Sequence, residues 1–275
     1  MSEATASKKQ MIERQFDGSA QAYDRRGPSV FGRFGARLVE QVRLAPDARV
    51  LDVATGTGAA LLPVARRLGP RGHVTGIDLS MAMLREAERA ALAEGLANVD
   101  LLKMDAEQLE FPDQTFDAVL AAHSIFLFPD REGALREMHR VTKPGGCVGV
   151  SIFGNTPPAF TPAWTTLVEQ LGAYGVEVRV PNPLAFYTPE EMRTLLSGCG
   201  FGLIEILSEA DEVVYSNGQE WWDALLTMAP RPAVMSMDEA TRARFKEEYL
   251  GKLSPMLRED GLHLSLSMVY ATAQR

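Results

Sequence analysis

The feature that most constrains the fold is a short stretch in which an apolar run passes directly into two glycines. Residues 50–58 read Val-Leu-Asp-Val-Ala-Thr-Gly-Thr-Gly. Such a run predicts a buried strand, and the G-x-G spacing predicts a tight turn into a helix. Glycines let the backbone approach a ligand closely, and the start of a helix offers free N–H groups to an anion. The stretch therefore predicts a ligand-binding turn at the end of a strand.

Strand-like and helix-like patterns then alternate along the chain. Strands are predicted at residues 49–53, 73–79, 99–104, 116–122 and 147–153, with a helix-like segment after most of them. Alternation with short links is typical of a parallel sheet that is covered by helices on both faces. We therefore predict an α/β fold.

The remaining segments predict additions to this sheet. We divide the chain into residues 1–47 (an N-terminal tail, frayed over the first ten residues, and lid helices), 48–153 (the ligand-binding core), 154–187 (a cap insertion), 188–208 (a core helix and strand), 209–260 (a second cap insertion) and 261–275 (a final core strand). The helix at 188 begins with a capping box, Thr188 to Glu191. Residues 209–258 are predicted to be helical.

Composition excludes several classes of function. The net charge is −8 and the isoelectric point is about 5.2, whereas nucleic-acid binding requires a basic patch. No stretch reaches the ~18 apolar residues of a membrane span, and the first residues have no apolar signal core. The two cysteines are far apart and the four histidines are scattered, which predicts no metal site. We expect a cytoplasmic protein with a small-molecule substrate; its oligomeric state stays open, with a homodimer as one candidate.

Three acids near the ends of the first three strands indicate the ligand. A dinucleotide site expects glycine or alanine where Leu61 stands. Asp52 would repel a pyrophosphate but attract an ammonium group. Asp78 is placed to accept both hydroxyls of a ribose, and Asp105 to accept an adenine amino group. One ligand with these groups is S-adenosylmethionine, which becomes S-adenosylhomocysteine after methyl transfer.

Seven motifs in order resemble a known family. They are F-D-G-S-A-Q-A-Y-D (16–24), D-V-A-T-G-T-G (52–58), G-I-D-L-S (76–80), M-D-A-E-Q-L (104–109), F-D-A-V (116–119), L-R-E-M-H-R-V-T-K-P-G-G (135–146) and Y-T-P-E-E-M…G-C-G-F (187–201). The chain resembles the class I S-adenosylmethionine-dependent methyltransferases, in the branch with the ubiquinone and menaquinone C-methyltransferases and many natural-product methyltransferases. The resemblance implies a Rossmann-like, doubly wound, mostly parallel seven-stranded sheet with helical cap insertions.

The resemblance also implies a set of cofactor contacts. They are Tyr23, Asp52, Ala54, Gly56, Gly58, Asp78, Leu79, Met83, Asp105, Ala106 and His123. Asp52, Ala54, Gly56 and Gly58 would surround the methionine part of the cofactor. Asp78 would hold the ribose, with Leu79 and Met83 beside the adenine. Asp105 and Ala106 would lie along the adenine edge. Tyr23 would cover the cofactor, and its other interpretation is simple packing of the N-terminus.

The segment after the fourth strand departs from the family. Many small-molecule members carry a histidine there, in a pattern like L-H-H-x-P-D, whereas this chain reads H-S-I-F-L-F-P-D with Phe126 and Leu127 at those places. His123 is the remaining candidate for a catalytic base. Its alternative role is a polar contact to the cofactor or to backbone. Methyl transfer needs a base only when the nucleophile is protonated, as a hydroxyl is.

Aromatic residues in or beside the two insertions are the candidate substrate contacts. They are Phe153, Trp164, Tyr187, Trp221 and Trp222. Either they pack the cap or some of them line an apolar pocket.

We therefore predict a methyltransferase that acts on O, N or C of a small, fairly apolar molecule in secondary metabolism. Three alternatives stay open: a quinone-biosynthesis C-methyltransferase, a cofactor-binding cyclase or binding module without methyl transfer, and a Rossmann dehydrogenase.

Overall fold

The computed structural model describes residues 3–25, 27–154, 161–176, 187–228 and 230–275. Its strands are β1 (Arg49–Val53), β2 (His73–Asp78), β3 (Val99–Lys103), β4 (Phe116–Ala122), β5 (Thr142–Phe153), β6 (Gly202–Tyr215), β7 (Leu257–Arg258) and β8 (Gly261–Gln274). Its α-helices are α1 (Glu3–Ser19), α2 (Val30–Gln41), α3 (Leu61–Arg67), α4 (Met81–Ala93), α5 (Arg131–Val141), α6 (Thr161–Ala173), α7 (Pro189–Gly198), α8 (Gly218–Leu225), α9 (Arg231–Met235) and α10 (Glu239–Lys252).

All strands belong to one sheet in the order β3-β2-β1-β4-β5-β8-β6, with the two-residue β7 paired to β8. Strands β1 to β5 are parallel, and β8 is antiparallel to both β5 and β6. The α/β, doubly wound and mostly parallel seven-stranded sheet is confirmed, with β7 as a small addition. The chain order reverses between β1 and β4, and open sheets of this kind bind ligands at such a switch point.

Strand β1 shows why the sheet is covered on both faces. Successive side chains of a strand point to opposite faces, and both Val50 and Leu51 are completely buried. Val50 belongs to an apolar cluster with residues of α2, α3 and α4. Leu51 belongs to another cluster with residues of α5 and α7. An almost continuous apolar run is therefore what this strand requires.

The N-terminal region differs from the sequence prediction. Residues from Glu3 onward do not form a frayed tail, because helix α1 runs from there to Ser19 and is anchored to the core. Asp17 accepts a hydrogen bond of 2.6 Å from the Ser80 hydroxyl at the start of α4, and Lys103 Nζ lies 2.5 Å from a carboxylate oxygen of Glu13. Lys9, which lies within the predicted tail, likewise binds the carboxylates of Asp105 and Glu107 beyond the end of β3.

The helical prediction for residues 209–258 is wrong over its first part. Residues 209–215 continue β6, which pairs with β8 from Glu205 to Tyr215. The segment is rich in acids, so its own pattern does not indicate a strand, and pairing with the long β8 overrides that weak local preference. The second insertion therefore begins after Tyr215, and α8, α9 and α10 supply its helices.

Helices of the two insertions pack together into one cap. Gln170 of α6 donates from its side-chain amide to the Phe245 carbonyl of α10, at 3.0 Å. Tyr249 of α10 donates to the Ala163 carbonyl at 3.1 Å. Other parts of the first predicted insertion, residues 155–160 and 177–186, lie outside the described residues. Within the described ranges, no helix combines the length and apolar character that crossing a membrane requires.

Candidate active site

A cavity lies at the carboxyl ends of β1, β2, β3 and β4. The residues that line it are Lys9, Ile12, Phe16, Tyr23, Phe31, Ala54, Thr55, Gly56, Thr57, Ala59, Asp78, Leu79, Met83, Met104, Asp105, Ala106, Glu107, Ala122, His123, Ser124, Leu127, Phe128 and Pro129. We call Gly56, Asp78 and Asp105 the acidic wall, and Tyr23, Phe31, His123 and Phe128 the aromatic wall. The cavity lies at the switch point of the sheet, between β1 and β4.

The cavity brings together most of the predicted cofactor contacts. Tyr23, Ala54, Gly56, Asp78, Leu79, Met83, Asp105, Ala106 and His123 all line it. Asp52 and Gly58 are not part of its lining and lie behind the turn that follows β1.

Asp78 joins the turn after β1 to the end of β2. One carboxylate oxygen accepts from the Gly56 backbone N–H at 2.9 Å, and the other accepts from the Ser80 backbone N–H at 2.8 Å. Burial raises the pKa of this carboxyl above its ordinary value. Each carboxylate oxygen can accept a further hydrogen bond, so Asp78 is able to receive two hydroxyl groups.

The two glycines of the turn are needed for different reasons. Gly56 has φ +55° and Gly58 has φ +97°, a region that favours glycine. A Cβ added to Gly56 meets no protein atom within 4 Å, whereas one added to Gly58 lies 3.0 Å from Leu62. Gly58 therefore serves packing against the following helix, and Gly56 keeps the cavity side of the turn free of a side chain.

Asp52 is almost completely buried beneath the turn. One carboxylate oxygen accepts from the Thr55 hydroxyl at 2.6 Å, and the other has no partner among the described residues. Burial raises the pKa of Asp52 to about 7. A buried acceptor without a partner is unfavourable, and an ammonium group that reaches it directly or through water would relieve this cost.

Asp105 is already engaged by helix α1. Lys9 Nζ lies 2.6 Å from one of its carboxylate oxygens and also contacts the Glu107 carboxylate. The other oxygen accepts from the Glu107 backbone N–H at 2.9 Å. Lys9 thus places a positive charge between two acids at the end of the cavity where adenine is expected.

His123 occupies a left-handed backbone conformation with φ +51° just beyond β4. Its Nδ1 lies 2.8 Å from the Ser151 hydroxyl oxygen, and its Nε2 is buried without a partner among the described residues. The ring stacks on Phe34, with centroids 5.5 Å apart, and meets the rings of Phe31 and Phe153 edge-on. Burial lowers the pKa of His123 to about 4, so the imidazole is neutral and weakly basic.

Tyr23 covers the cavity as part of an aromatic stack. Its ring is parallel to that of Phe31, with centroids 5.2 Å apart, and meets the Phe16 ring edge-on at 5.9 Å. The structure therefore combines the two interpretations of Tyr23, because the residue both packs the N-terminal region and lines the cavity.

The structure separates the predicted substrate contacts from this cavity lining. Phe153 is the nearest of them, since its ring touches His123. Trp221 and Trp222 are buried in the cap core, where Trp221 donates to the Tyr249 hydroxyl at 2.9 Å. Trp164 packs against the same apolar cluster, and Tyr187 is buried beside α5, where Arg131 donates to its hydroxyl.

Sequence reasoning missed the cavity residues of the N-terminal helices. Lys9, Ile12 and Phe16 come from α1, and Phe31 comes from α2. Phe16 lies in a motif that marked this region, but its contact with the cavity depends on how α1 folds over the sheet. Lys9 carried no signal, because its partner Asp105 is 96 residues away.

Comparisons with known proteins identify the family. A family profile described as "Methyltransferase domain" matches residues 50–146. The chain is 37% identical over 206 residues to aklanonic acid methyltransferase DauC of Streptomyces sp. (strain C5), covering 71% of this chain and 94% of that protein. It is 33% identical over 195 residues to nocamycin O-methyltransferase of Saccharothrix syringae, covering 71% of this chain and 68% of that one. Demethylmenaquinone methyltransferase of Geobacillus kaustophilus is 38% identical over 144 residues, which cover 51% of this chain and 62% of that protein.

Solved structures share the fold. The YcgJ protein of Bacillus subtilis matches with a TM-score of 0.61 and 19% identity, over 88% of this chain and 98% of that one. Phosphoethanolamine N-methyltransferase 2 of Haemonchus contortus, solved in complex with S-adenosylhomocysteine, matches with a TM-score of 0.57 and 18% identity, over 90% of this chain and 53% of that one. The chain belongs to the S-adenosylmethionine-dependent methyltransferases, and S-adenosylmethionine is its methyl donor.

Proposed function

We propose that this methyltransferase acts on an oxygen of a small, largely apolar molecule of the natural-product type. The observation that carries the proposal is the character of the cavity next to the aromatic wall. The lining residues from the end of β4 onward, Ala122 to Pro129, carry no formal charge when His123 is neutral. Such a surface favours an apolar ligand over a highly charged one. Two relatives that span most of this chain support oxygen as the acceptor, since one is named for an acid and the other is an O-methyltransferase.

In this proposal the acidic wall holds the cofactor. Asp78 accepts the ribose hydroxyls, with Leu79 and Met83 beside the adenine. Asp105 and Ala106 face the adenine edge. The unpartnered oxygen of Asp52 and the open side of the turn at Gly56 support this placement, because both fit an amino-acid group better than a pyrophosphate.

When bound, S-adenosylmethionine supplies an electrophilic methyl group: the acceptor oxygen forms the new C–O bond as the C–S bond breaks, and the electron pair stays on sulfur. The protein's part is to align the acceptor and to exclude water, which contributes several kcal/mol, up to about 7–11. Tyr23 and Phe31 are suited to exclude water, since their stacked rings cover the cavity. His123 is a poor general base for a phenol, because its pKa of about 4 is far below that of a phenol.

The proposal includes a cytoplasmic location and a small-molecule partner, with no nucleic acid. The net charge of −8 supports the part of the proposal that concerns nucleic acid, because a polyanion would be repelled.

Labelled-methyl transfer tests the proposal. Purified protein is incubated with S-adenosyl-L-[methyl-¹⁴C]methionine and with 2-naphthoic acid, 2-naphthol or a demethylmenaquinone as acceptor. We expect label in an alkali-labile ester or an aryl ether. Label bound to the ring carbon of the quinone, with none on oxygen, would instead establish the quinone C-methyltransferase. Cofactor binding without release of S-adenosylhomocysteine to any acceptor would favour a cyclase or binding module.

A further inference from the structure

His123 of the aromatic wall forms a buried polar pair with Ser151. Nδ1 of His123 lies 2.8 Å from Oγ of Ser151. The backbone N–H of His123 also donates to this oxygen, at 3.3 Å. Ser151 is fully buried, and its hydroxyl makes these two contacts within the part of the chain that the structure describes. The pair therefore determines where the imidazole proton lies.

The Ser151 hydroxyl hydrogen has one acceptor within reach among the described residues, Nδ1 of His123. If Nδ1 itself carried a hydrogen, the buried hydroxyl hydrogen would be left unpaired, at a cost of about 1–3 kcal/mol. A neutral imidazole has one donor and one acceptor nitrogen. Because Nδ1 accepts, the hydrogen lies on Nε2.

The Nε2–H group is buried in this structure and unpaired among the described residues. Both His123 and the Phe31 ring that meets it edge-on line the cavity. Burial lowers the pKa of His123 to about 4, so the group is a neutral donor at physiological pH. A buried donor without a partner stabilises a bound oxygen that can reach it.

We infer that His123 donates a hydrogen bond from Nε2–H to the acceptor oxygen of the substrate, and that Ser151 is a positioning residue that fixes this tautomer. The inference rests on the proposed function and deepens it. A histidine that donates from Nε2 and accepts at Nδ1 has no free lone pair with which to remove the acceptor's proton. In this inference the acceptor oxygen is already ionised when it binds, which at neutral pH describes a carboxylate rather than a phenol of pKa about 10. Its methylation gives an ester, and no proton is released. Because Nε2 is buried in this structure, the inference requires the Phe31 ring to move when the substrate binds.

Nuclear magnetic resonance of the ¹⁵N-histidine-labelled protein tests the tautomer without any substrate. The chain has four histidines, and the spectrum of His123→Gln identifies the His123 signals. We expect Nε2 protonated and Nδ1 unprotonated at pH 7. In Ser151→Ala, the Nδ1–H form should become populated, because nothing then holds Nδ1 as an acceptor. A wild-type Nδ1–H tautomer or an imidazolium would overturn the inference.

Matched variants test the donor role. His123→Gln keeps an N–H donor at the reach of Nε2, whereas His123→Phe keeps the ring packing and removes it. The probe is 2-naphthoate, measured by calorimetry with the S-adenosylhomocysteine complex and by methyl transfer. A hydrogen bond to a charged group contributes about 1.5–3 kcal/mol, so we expect His123→Phe to weaken binding roughly tenfold or more and to raise KM. His123→Gln should restore both to within about threefold of wild type.

Several outcomes separate this inference from the proposed function. Rapid methylation of 2-naphthol that both variants abolish would make His123 a base. Equal loss of 2-naphthoate binding in both variants, or no binding to the wild-type complex, would also overturn the donor role. Should His123→Phe unfold, the double variant His123→Phe with Ser151→Ala removes both polar partners and repeats the test. Failure of the wild-type protein to bind S-adenosylmethionine would instead contradict the proposed function, while the assignment of the His123 tautomer would still stand.

Discussion

The acidic wall comes from residues at or just beyond the ends of β1, β2 and β3. The aromatic wall instead combines the loop after β4 with residues of the N-terminal region. Gly56, Asp78 and Asp105 each lie within a few residues of a strand end, so the sheet itself places them. Phe31 meets His123 across more than 90 positions of the sequence, with centroids 5.8 Å apart. The contrast shows that local motifs place the acidic wall, which we propose holds the cofactor, while tertiary packing assembles the aromatic wall, which we propose meets the acceptor.

Asp78→Ala should give the largest effect, because it removes the acceptor of the predicted ribose hydrogen bonds. Two hydrogen bonds to a charged group contribute about 1.5–3 kcal/mol each, so we expect S-adenosylmethionine binding to weaken by at least ~100-fold in calorimetry. Asp100→Ala on β3 is the control, since Asp100 is an exposed acid that does not line the cavity. Binding of Asp78→Ala within a few-fold of wild type would contradict the assignment.

The turn after β1 offers a matched pair of glycines. Gly56 has φ +55° and Gly95 has φ +68°, and an added Cβ meets no protein atom within 4 Å at either. Both alanine variants incur a backbone cost of about 1–2 kcal/mol, so their melting temperatures should fall similarly. Only Gly56→Ala should lose cofactor affinity, by roughly tenfold or more. Equal affinities in the two variants would remove the turn from the cofactor site.

The aromatic wall should respond differently from the cap. Phe31→Ala is expected to raise the KM of the acceptor by about tenfold while changing cofactor affinity little, because Phe31 lines the cavity beside His123. Trp221 is completely buried in the cap, so Trp221→Ala should lower the free energy of unfolding by about 3–5 kcal/mol. Denaturant titration and steady-state kinetics on both variants measure the difference. If Trp221→Phe kept the wild-type stability but raised the KM of the acceptor, Trp221 would be a substrate contact after all.

Asp52 gives an effect of a different kind, a pH dependence of stability in the absence of cofactor. Burial raises its pKa to about 7, against roughly 3.9 in an unfolded chain. Between these values the folded protein holds a proton that the unfolded chain has released, so this contribution to stability falls as the pH rises. Asp52→Asn should therefore have a higher melting temperature than wild type at pH 8, because each kcal/mol of added stability raises it by about 2–4 °C. The difference in melting temperature between the two proteins should be smaller at pH 5.

Scanning calorimetry at both pH values checks this expectation. Phe31→Leu on the aromatic wall is the control and should keep the wild-type pH dependence. Identical pH profiles for Asp52→Asn and wild type would show that Asp52 is not the group responsible.

The sheet and the acidic wall were predictable because their signals are local. β1 and β4 have the predicted bounds, since each is an apolar run between clear turn residues. The acids after β2 and β3 follow from parallel strands, whose carboxyl ends meet at one edge. The start of the helix at Pro189 was equally predictable, because its capping box lies within four consecutive residues, Thr188 to Glu191.

The rest depended on partners far away in the chain. α1 is held by contacts such as Lys9 with Asp105, which no periodicity reveals. The end of β6 pairs with β8 although its acidic sequence shows no apolar alternation. The predicted substrate residues Trp221 and Trp222 were drawn from composition alone, and aromatic residues in an insertion serve its own core as readily as a ligand.

The pairing of β6 with β8 has a consequence for how such enzymes diversify. Tyr215 and Leu262 face each other at the end of that ladder, so the chain leaves the sheet and returns to it at adjacent points. A loop between adjacent points can grow or shrink at an entropic cost that rises only with the logarithm of its length. The segment between these points can therefore change in length without altering the cavity, whose described lining includes no residue from it.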